Sequence, residues 1–379
     1  MSEKELLIMA SDMWLDRPHG ASIIKMLEIF SKLLHKDVRL FLFSWEEREE
    51  RRGNLIIKGL KLPRNLKEGS SSFLFHQMIR SLDLFKSADL VIFDYPLLPS
   101  FILSKIIKRD IKGISLILSR PICNNPLHLK NIMYRFFLFI SRAFVDLYTG
   151  ITPYEVNDIA KFVGKNKTVL LPSPLAPEFL NPPGSCDTIL GKYFSINDIR
   201  LLTSDKNLLL YHGVLDERRG LRNILDSFGR ASSPEDYLVI LGKGEDLPLV
   251  KRYAEKYPNI RYMGSVPLEV IPCVMKHISA GIAWLPDEPR WRFQLPTKIL
   301  ELMASGKPFL ASDLPGIRWA VGGCPLAFYT HDITPQALSS FIKALSDIKD
   351  DHGICLKRSK DFSAENVANM LYSYVKRLL

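Results

Sequence analysis

Short runs of apolar, β-branched residues recur along this chain with longer helix-patterned stretches between them, and that alternation restricts the fold more than any other feature. In the first half the runs are Leu6 to Met9, Val38 to Phe43, Leu90 to Phe93, Ile114 to Leu118 and Leu147 to Ile151. Between the first two, Ile23, Leu27, Phe30 and Leu34 fall near helical spacing, which predicts a helix over Ala21 to Leu34 packed on those strands. Strands alternating with helices stack as βα units and build a parallel sheet. The stretch Leu171 to Gly184 (LPSPLAPEFLNPPG) breaks the pattern, because prolines lack the amide donor and hold φ fixed, so neither a helix nor a central strand continues through it. The alternation then restarts at Leu208 to Tyr211, Tyr237 to Leu241, Ile260 to Tyr262, Ala280 to Leu285 and Pro308 to Ala311. The expectation is an α/β protein of two Rossmann-like domains, 1–180 and 185–356. An amphipathic helix over 364–379, apolar at Val367, Met370, Leu371, Tyr374 and Leu378, is expected to rejoin the first domain. Ligands of open α/β sheets bind beyond the carboxyl ends of the strands, so two such domains facing across a cleft would offer it loops from both.

At 379 residues, 47% hydrophobic and 24% charged, the chain is long enough for two buried cores, and the composition excludes a disordered protein. Five cysteines (Cys123, Cys186, Cys273, Cys324, Cys355) are far apart, odd in number and form no CxxC or Cys/His cluster. Neither a disulfide framework nor a zinc site is expected from them, and a reducing cytoplasm is the expected compartment. The opening MSEKELLIMASD has only a short apolar run, and no stretch approaches the roughly 20 apolar residues of a spanning helix. The formal charge of +10 is uneven: Glu46 to Glu50 is acidic, whereas residues 101–150 hold eight basic and two acidic side chains. Phosphate-bearing substrates, anionic lipid or nucleic acid would each suit that region, and no nucleic-acid-binding module is recognisable.

Three loops hold groups suited to a phosphorylated ligand. The first is YHGVLDERRGL at 211–221, a strand ending at Gly213, a loop with Arg218 and Arg219, and a helix starting near Gly220. Glycine admits a close backbone approach, and a guanidinium beside a helix N-terminus suits a phosphate; an ordinary βα turn with exposed arginines has the same appearance. The second, LGKGED at 241–246, lacks the GxGxxG spacing and the P-loop Lys-Ser/Thr, so Gly242 marks a turn and not a nucleotide fingerprint. The third is PTKILELMASGKP at 296–308. With a helix beginning around Pro296, Lys298 and Glu301 lie three apart near its positive end. The ammonium can meet a phosphate while the carboxylate accepts from two ribose hydroxyls; a surface ion pair is the simpler account of the same spacing.

Taken together, GVLDERRGL at 213–221, ILGKGEDL at 240–247, LPTKILELMASGKPFLASDLPGI at 295–317 and the terminal FSAENVANMLYSYVKRLL resemble the retaining family 4 glycosyltransferases of GT-B fold. The resemblance covers the second domain well and the first only in outline. It implies a nucleotide-diphosphate sugar as co-substrate held by the second domain, no cofactor, no obligatory metal, and retention of anomeric configuration. By position, Glu301 matches the second glutamate of the family's E-x7-E motif, which binds the donor ribose, and Arg219 matches the lysine that binds the diphosphate. Val214 stands where the family has an arginine, and Phe293 where it has the first glutamate. The pattern is closer to the branch carrying proline-x-lysine-x-x-glutamate, in which Lys298 restores the positive charge. Arg290, Arg292 and Gln294 are then candidates for sugar recognition. Arg219 and Lys298 are the expected catalytic groups, stabilising charge on the leaving diphosphate, with Gly213, Gly242, Gln294 and Glu301 completing the donor site.

In the first domain, PHGAS at 18–22 resembles the family's glycine-rich acceptor-side loop, which makes Gly20 and His19 candidates there, with Arg120 where the family often has a histidine. A glycan or a lipid-linked molecule is the expected acceptor. The segment Lys130 to Arg142 (KNIMYRFFLFISR) mixes cations with aromatics, as a peripheral helix on the anionic inner face of a membrane does and as a core helix with snorkelling arginines also does. A sugar-nucleotide epimerase and a noncatalytic sugar-nucleotide binder of the same fold are the alternative functions.

Overall fold

The computed structural model describes residues 6–10, 21–44, 46–62, 71–117, 127–348 and 352–379. The chain divides into two compact units, Met1–Pro174 with Ala364–Leu379, and Leu175–Ser363.

The first unit runs β1 (Leu6–Ala10), α1 (Ala21–Leu34), β2 (Val38–Ser44), β3 (Glu49–Arg52), β4 (Leu55–Lys61), α2 (Ser71–Ser87) and β5 (Leu90–Asp94). It continues with α3 (Leu98–Ile107), β6 (Lys112–Ile117), α4 (Leu129–Ser141), β7 (Leu147–Gly150), α5 (Pro153–Val163) and β8 (Thr168–Leu170), and regains the chain's last helix, α16 (Ala364–Leu378). The strands form one sheet in the order β3-β4-β2-β1-β5-β6-β7-β8, parallel throughout except where β3 pairs antiparallel with β4. One face is covered by α2 to α5 through Phe85, Phe101, Leu138 and Ile159. On the other face Val367, Leu371 and Val375 of α16 pack with Met26, Leu27 and Phe30 of α1, the helical spacing that periodicity indicates. The acidic stretch around Glu49 is an edge strand turned at Gly53 (φ +60°), its charges tied by Lys58–Glu49 (3.0 Å) and Arg52–Glu50 (2.6 Å). Charged side chains suit an edge, where a bare strand would otherwise recruit another chain.

The second unit opens with α6 (Pro177–Leu180), α7 (Cys186–Tyr193), α8 (Ile196–Leu202), β9 (Asn207–Val214), α9 (Leu221–Ala231), β10 (Asp236–Lys243), α10 (Leu247–Lys256) and β11 (Ile260–Tyr262). It ends with α11 (Ile271–His277), β12 (Ala280–Ala283), α12 (Thr297–Ala304), β13 (Phe309–Ser312), α13 (Pro315–Val321), β14 (Ala327–Thr330), α14 (Pro335–Ala344) and α15 (His352–Lys360). Its six strands are all parallel, in the order β11-β10-β9-β12-β13-β14. Within the proline-rich stretch, through which no longer helix or strand continues, the short α6 starts at Pro177, where a missing amide costs nothing.

Two disulfides overturn the cysteine reading: Cys186 of α7 bonds Cys273 of α11, and Cys324 bonds Cys355 of α15. Their Cα atoms lie 5.1 and 4.6 Å apart although 87 and 31 residues separate them in sequence, so spacing along the chain gives no sign of the pairs.

Candidate functional site

In the second unit the chain builds outward from β9 through β10 to β11, then returns to the other side of β9 with β12. The strand order reverses between β9 and β12, and at such a switch point the two loops leave in opposite directions and open a crevice at the carboxyl ends. The loop 214–220 carries Arg219 of the first group picked out from sequence, and the loop 284–296 leads into the helix that carries Lys298 of the third.

Glycines set the backbone there. Gly213 (φ +117°) ends β9 and lies in register with Gly242 of β10, where a Cβ would run into the Gly213 carbonyl. Strand packing alone therefore demands glycine at position 242. Gly220 (φ +74°) precedes α9, and a Cβ on it would strike the Trp284 ring. Trp284 donates from Nε1 to the His331 carbonyl (3.3 Å), and Trp291 donates to the Arg218 carbonyl (3.0 Å), so two indoles brace the arginine loop. Arg218 is spent on Asp216, whose Oδ2 it reaches at 2.7 Å. Arg219 is half-buried, with its guanidinium 5.2 Å from the centre of the Trp291 ring.

Helix α12 brings the other charges. Pro296 caps it from outside with extended backbone (ψ 123°), so the helix starts at Thr297, one residue later than expected. Lys298 and Glu301 are both buried, which removes the surface ion pair as an account of their spacing. The Lys298 Nζ sits 3.8 Å from the centroid of Tyr211, and a Cβ on Gly213 would lie 4.0 Å from it. Burial draws the ammonium pKa down to about 7, Arg219 adding to the fall and Glu301 opposing it. Burial likewise pushes the Tyr211 phenol up to about 12, and its hydroxyl donates to the Val214 carbonyl (3.1 Å).

Glu301 is held by a residue that the sequence did not single out. The Nε2 of His212 lies 2.5 Å from Glu301 Oε2, and both side chains are buried. His212 Nδ1 is buried with no hydrogen-bond partner among the described residues. We assign the proton to Nε2, donating to the carboxylate, since that tautomer leaves a lone pair and not an N–H unpartnered. A polar side chain inside the apolar run LLLYHG is the signal that could have found it, since a buried imidazole at a strand's carboxyl end needs a partner.

Lys298, Glu301, Gly213, Gly242 and Arg219 are thus assembled at one end of one sheet. Gln294 lies on the same loop as Trp291, its carbonyl oxygen 2.6 Å from where a Cβ on Gly316 would stand. That close packing seats the loop against α13, with Gly316 also donating to the Arg292 carbonyl (2.9 Å). Arg292 and Arg290 are engaged by Asp287 (2.6 Å) and Glu288 (3.1 Å). Gly20, His19 and Arg120 lie outside the described residues. No cluster of three or more His, Cys, Asp or Glu suited to a metal ion occurs among the described residues.

Two parallel-sheet α/β units with these loops define the class: the fold is that of the GT-B glycosyltransferases, shared over the whole chain with solved structures. Residues 206–347 match the family model of the group 1 glycosyl transferases, which places that likeness on the unit holding Lys298 and Glu301. Sucrose-phosphate synthase from Thermosynechococcus elongatus is 15% identical, with a TM-score of 0.74 and 99% of each chain covered. The α,α-trehalose 6-phosphate synthase from Burkholderia multivorans is 11% identical, with a TM-score of 0.73 and the same coverage. Anabaena HepE in complex with UDP is 13% identical with a TM-score of 0.68, over 98% of this chain and all of that one. No curated protein sequence matches this chain.

Proposed function

We propose that the protein is a glycosyltransferase that moves a sugar from a nucleotide diphosphate donor to a glycan or lipid-linked acceptor, with retention of configuration. The observation that carries this reading is the pairing, at the switch point of the second unit, of two cations with a carboxylate fixed in place. Arg219 and Lys298 face the diphosphate; Glu301 accepts from the ribose hydroxyls through Oε1, its Oε2 being occupied by His212. As the bond between the sugar and the diphosphate breaks, negative charge builds on the leaving phosphate, and cations already in position stabilise it without reorganising. Lys298 is suited to that work because burial disfavours its charged form until an anion beside it favours that form. These two cations supply the charge that a metal ion supplies in other transferases. Gln294 and the residues beside Phe293 are assigned to the sugar, and the first unit to the acceptor.

The test is a thermal-shift screen against UDP, GDP, dTDP and ADP and their common sugars, run on the wild type and on Glu301→Ala. Ligands that bind the folded state raise the melting temperature. The proposal expects a shift selective for one base and lost in Glu301→Ala; no shift with any nucleotide overturns it. Donor binding without turnover in any acceptor mixture would make the protein a binder, and conversion of the donor without acceptor would make it an epimerase.

A further inference from the structure

The helical layer α2 to α4 of the first unit is apolar on its outer side as well as on the side that covers the sheet. On α4 the buried positions are Asn131, Tyr134, Leu138 and Ser141, a narrow stripe at helical spacing of which two members are polar. The opposite face carries Leu129, Ile132, Met133, Phe136, Phe139 and Ile140, with Phe136 53% and Phe139 49% exposed. Beside it α3 exposes Leu103, Ile106 and Ile107, the last at 63%, and α2 exposes Phe75 and Ile79. These three helices cover one face of the sheet, so their outer sides form one layer. With Leu127, just before α4, the layer holds twelve of the seventeen exposed large apolar side chains among the described residues. Monomeric proteins seldom leave a contiguous apolar surface of that extent bare.

The charge on the layer is of one sign where it is most apolar. Lys130, Arg135 and Arg142 project from α4 or its end, and no Asp or Glu occurs between Asp110 and Asp146. Neither Lys130 nor Arg135 meets a carboxylate among the described residues, and Arg142 lies over the Phe139 ring at 4.0 Å. We propose that this face docks on the surface of a bilayer containing anionic lipid, with the aromatic and aliphatic side chains of α4 and α3 entering the headgroup region and the three cations meeting lipid phosphates. A second copy of the chain fits the charge poorly, because a two-fold contact would set the same three cations against themselves. No helix of the described residues is long and apolar enough to cross a membrane, so the docking is peripheral. This inference stands apart from the donor-site reading.

Flotation of the full chain with vesicles of phosphatidylcholine, alone or mixed with phosphatidylglycerol, tests it. The wild type is expected to float only with the mixed vesicles, and less so as salt is raised. Phe136→Ser/Phe139→Ser should lose flotation, and Lys130→Gln/Arg135→Gln should weaken it by on the order of thirtyfold. All four residues are exposed, so both variants should melt with the wild type. Absence of lipid-dependent flotation, or flotation that neither variant alters, overturns the proposal. A dimer in solution that the phenylalanine variant converts to monomer, without any flotation, gives the face to a second copy and overturns it as well. The nucleotide-induced melting shift, read without vesicles, reports on the donor site independently.

Discussion

Replacing Lys298 with methionine separates two consequences of burying an ammonium beneath the proposed donor site. In the folded protein its pKa is drawn to about 7, mainly by burial, from the ordinary 10.5. Between those values the unfolded chain holds a proton that the folded chain has released, so the empty protein gains stability as pH rises through the window and carries the full penalty below it. Lys298→Met removes the penalty, and its stability advantage over the wild type should be larger by about 1 kcal/mol at about pH 6 than at about pH 8. A diphosphate laid against the ammonium favours the charged form, so binding takes up a proton. Affinity should then fall about tenfold per pH unit above about pH 7 in the wild type and stay level in Lys298→Met, which binds more weakly at low pH. Lys298→Arg, charged at every accessible pH, should bind with no pH slope from this position. Calorimetric titration of the nucleoside diphosphate in buffers of different ionisation enthalpy counts the protons. A wild-type affinity that is level across pH without proton uptake, or a slope that survives in Lys298→Met, refutes the reasoning.

Further outcomes follow from the packing around that lysine. His212→Ala leaves the buried Glu301 carboxylate without its donor and should destabilise the protein by about 3 kcal/mol, whereas His212→Gln, which keeps an N–H, should recover much of both stability and nucleotide binding; chemical denaturation reads the difference. Gly220→Ala forces a side chain into a left-handed position and into the Trp284 ring, and should cost about 2 kcal/mol with weaker nucleotide binding, measured by denaturation and thermal shift. Closing loops of 31 and 87 residues, the two disulfides should each contribute about 4 kcal/mol, so a reductant should lower the melting temperature, and thiol labelling of the unreduced protein should find a single free cysteine.

What could be read from the chain beforehand depended on whether the cause was local. The helix Ala21–Leu34 and the strand Ile260–Tyr262 follow from periodicity within a few residues, and their bounds are the ones the pattern indicates. Strand β3, Glu-Glu-Arg-Arg, has no apolar alternation to show because it is an edge that buries nothing. The close approach of Lys298 and Glu301 to the same strand end could be inferred from their helical spacing, but their burial could not. That depends on where α12 lies against β9. The contact between His212 and Glu301 joins residues 89 apart, and the disulfides join residues 31 and 87 apart. No window of sequence contains either partner's environment. Helix α4 is apolar on its outer face too, so its composition alone suited a core helix equally well; only the narrow buried stripe from Asn131 to Ser141 tells the two apart.

The second unit's switch point is the proposed donor site. A crystal structure with the nucleoside diphosphate that gives the largest melting shift tests it most directly. The β-phosphate should lie within hydrogen-bonding distance of Lys298 Nζ and the Arg219 guanidinium, with the ribose hydroxyls donating to Glu301 while His212 keeps Oε2. A nucleotide seated elsewhere, or seated there with Lys298 still turned onto the Tyr211 ring and out of reach of phosphate, would contradict it.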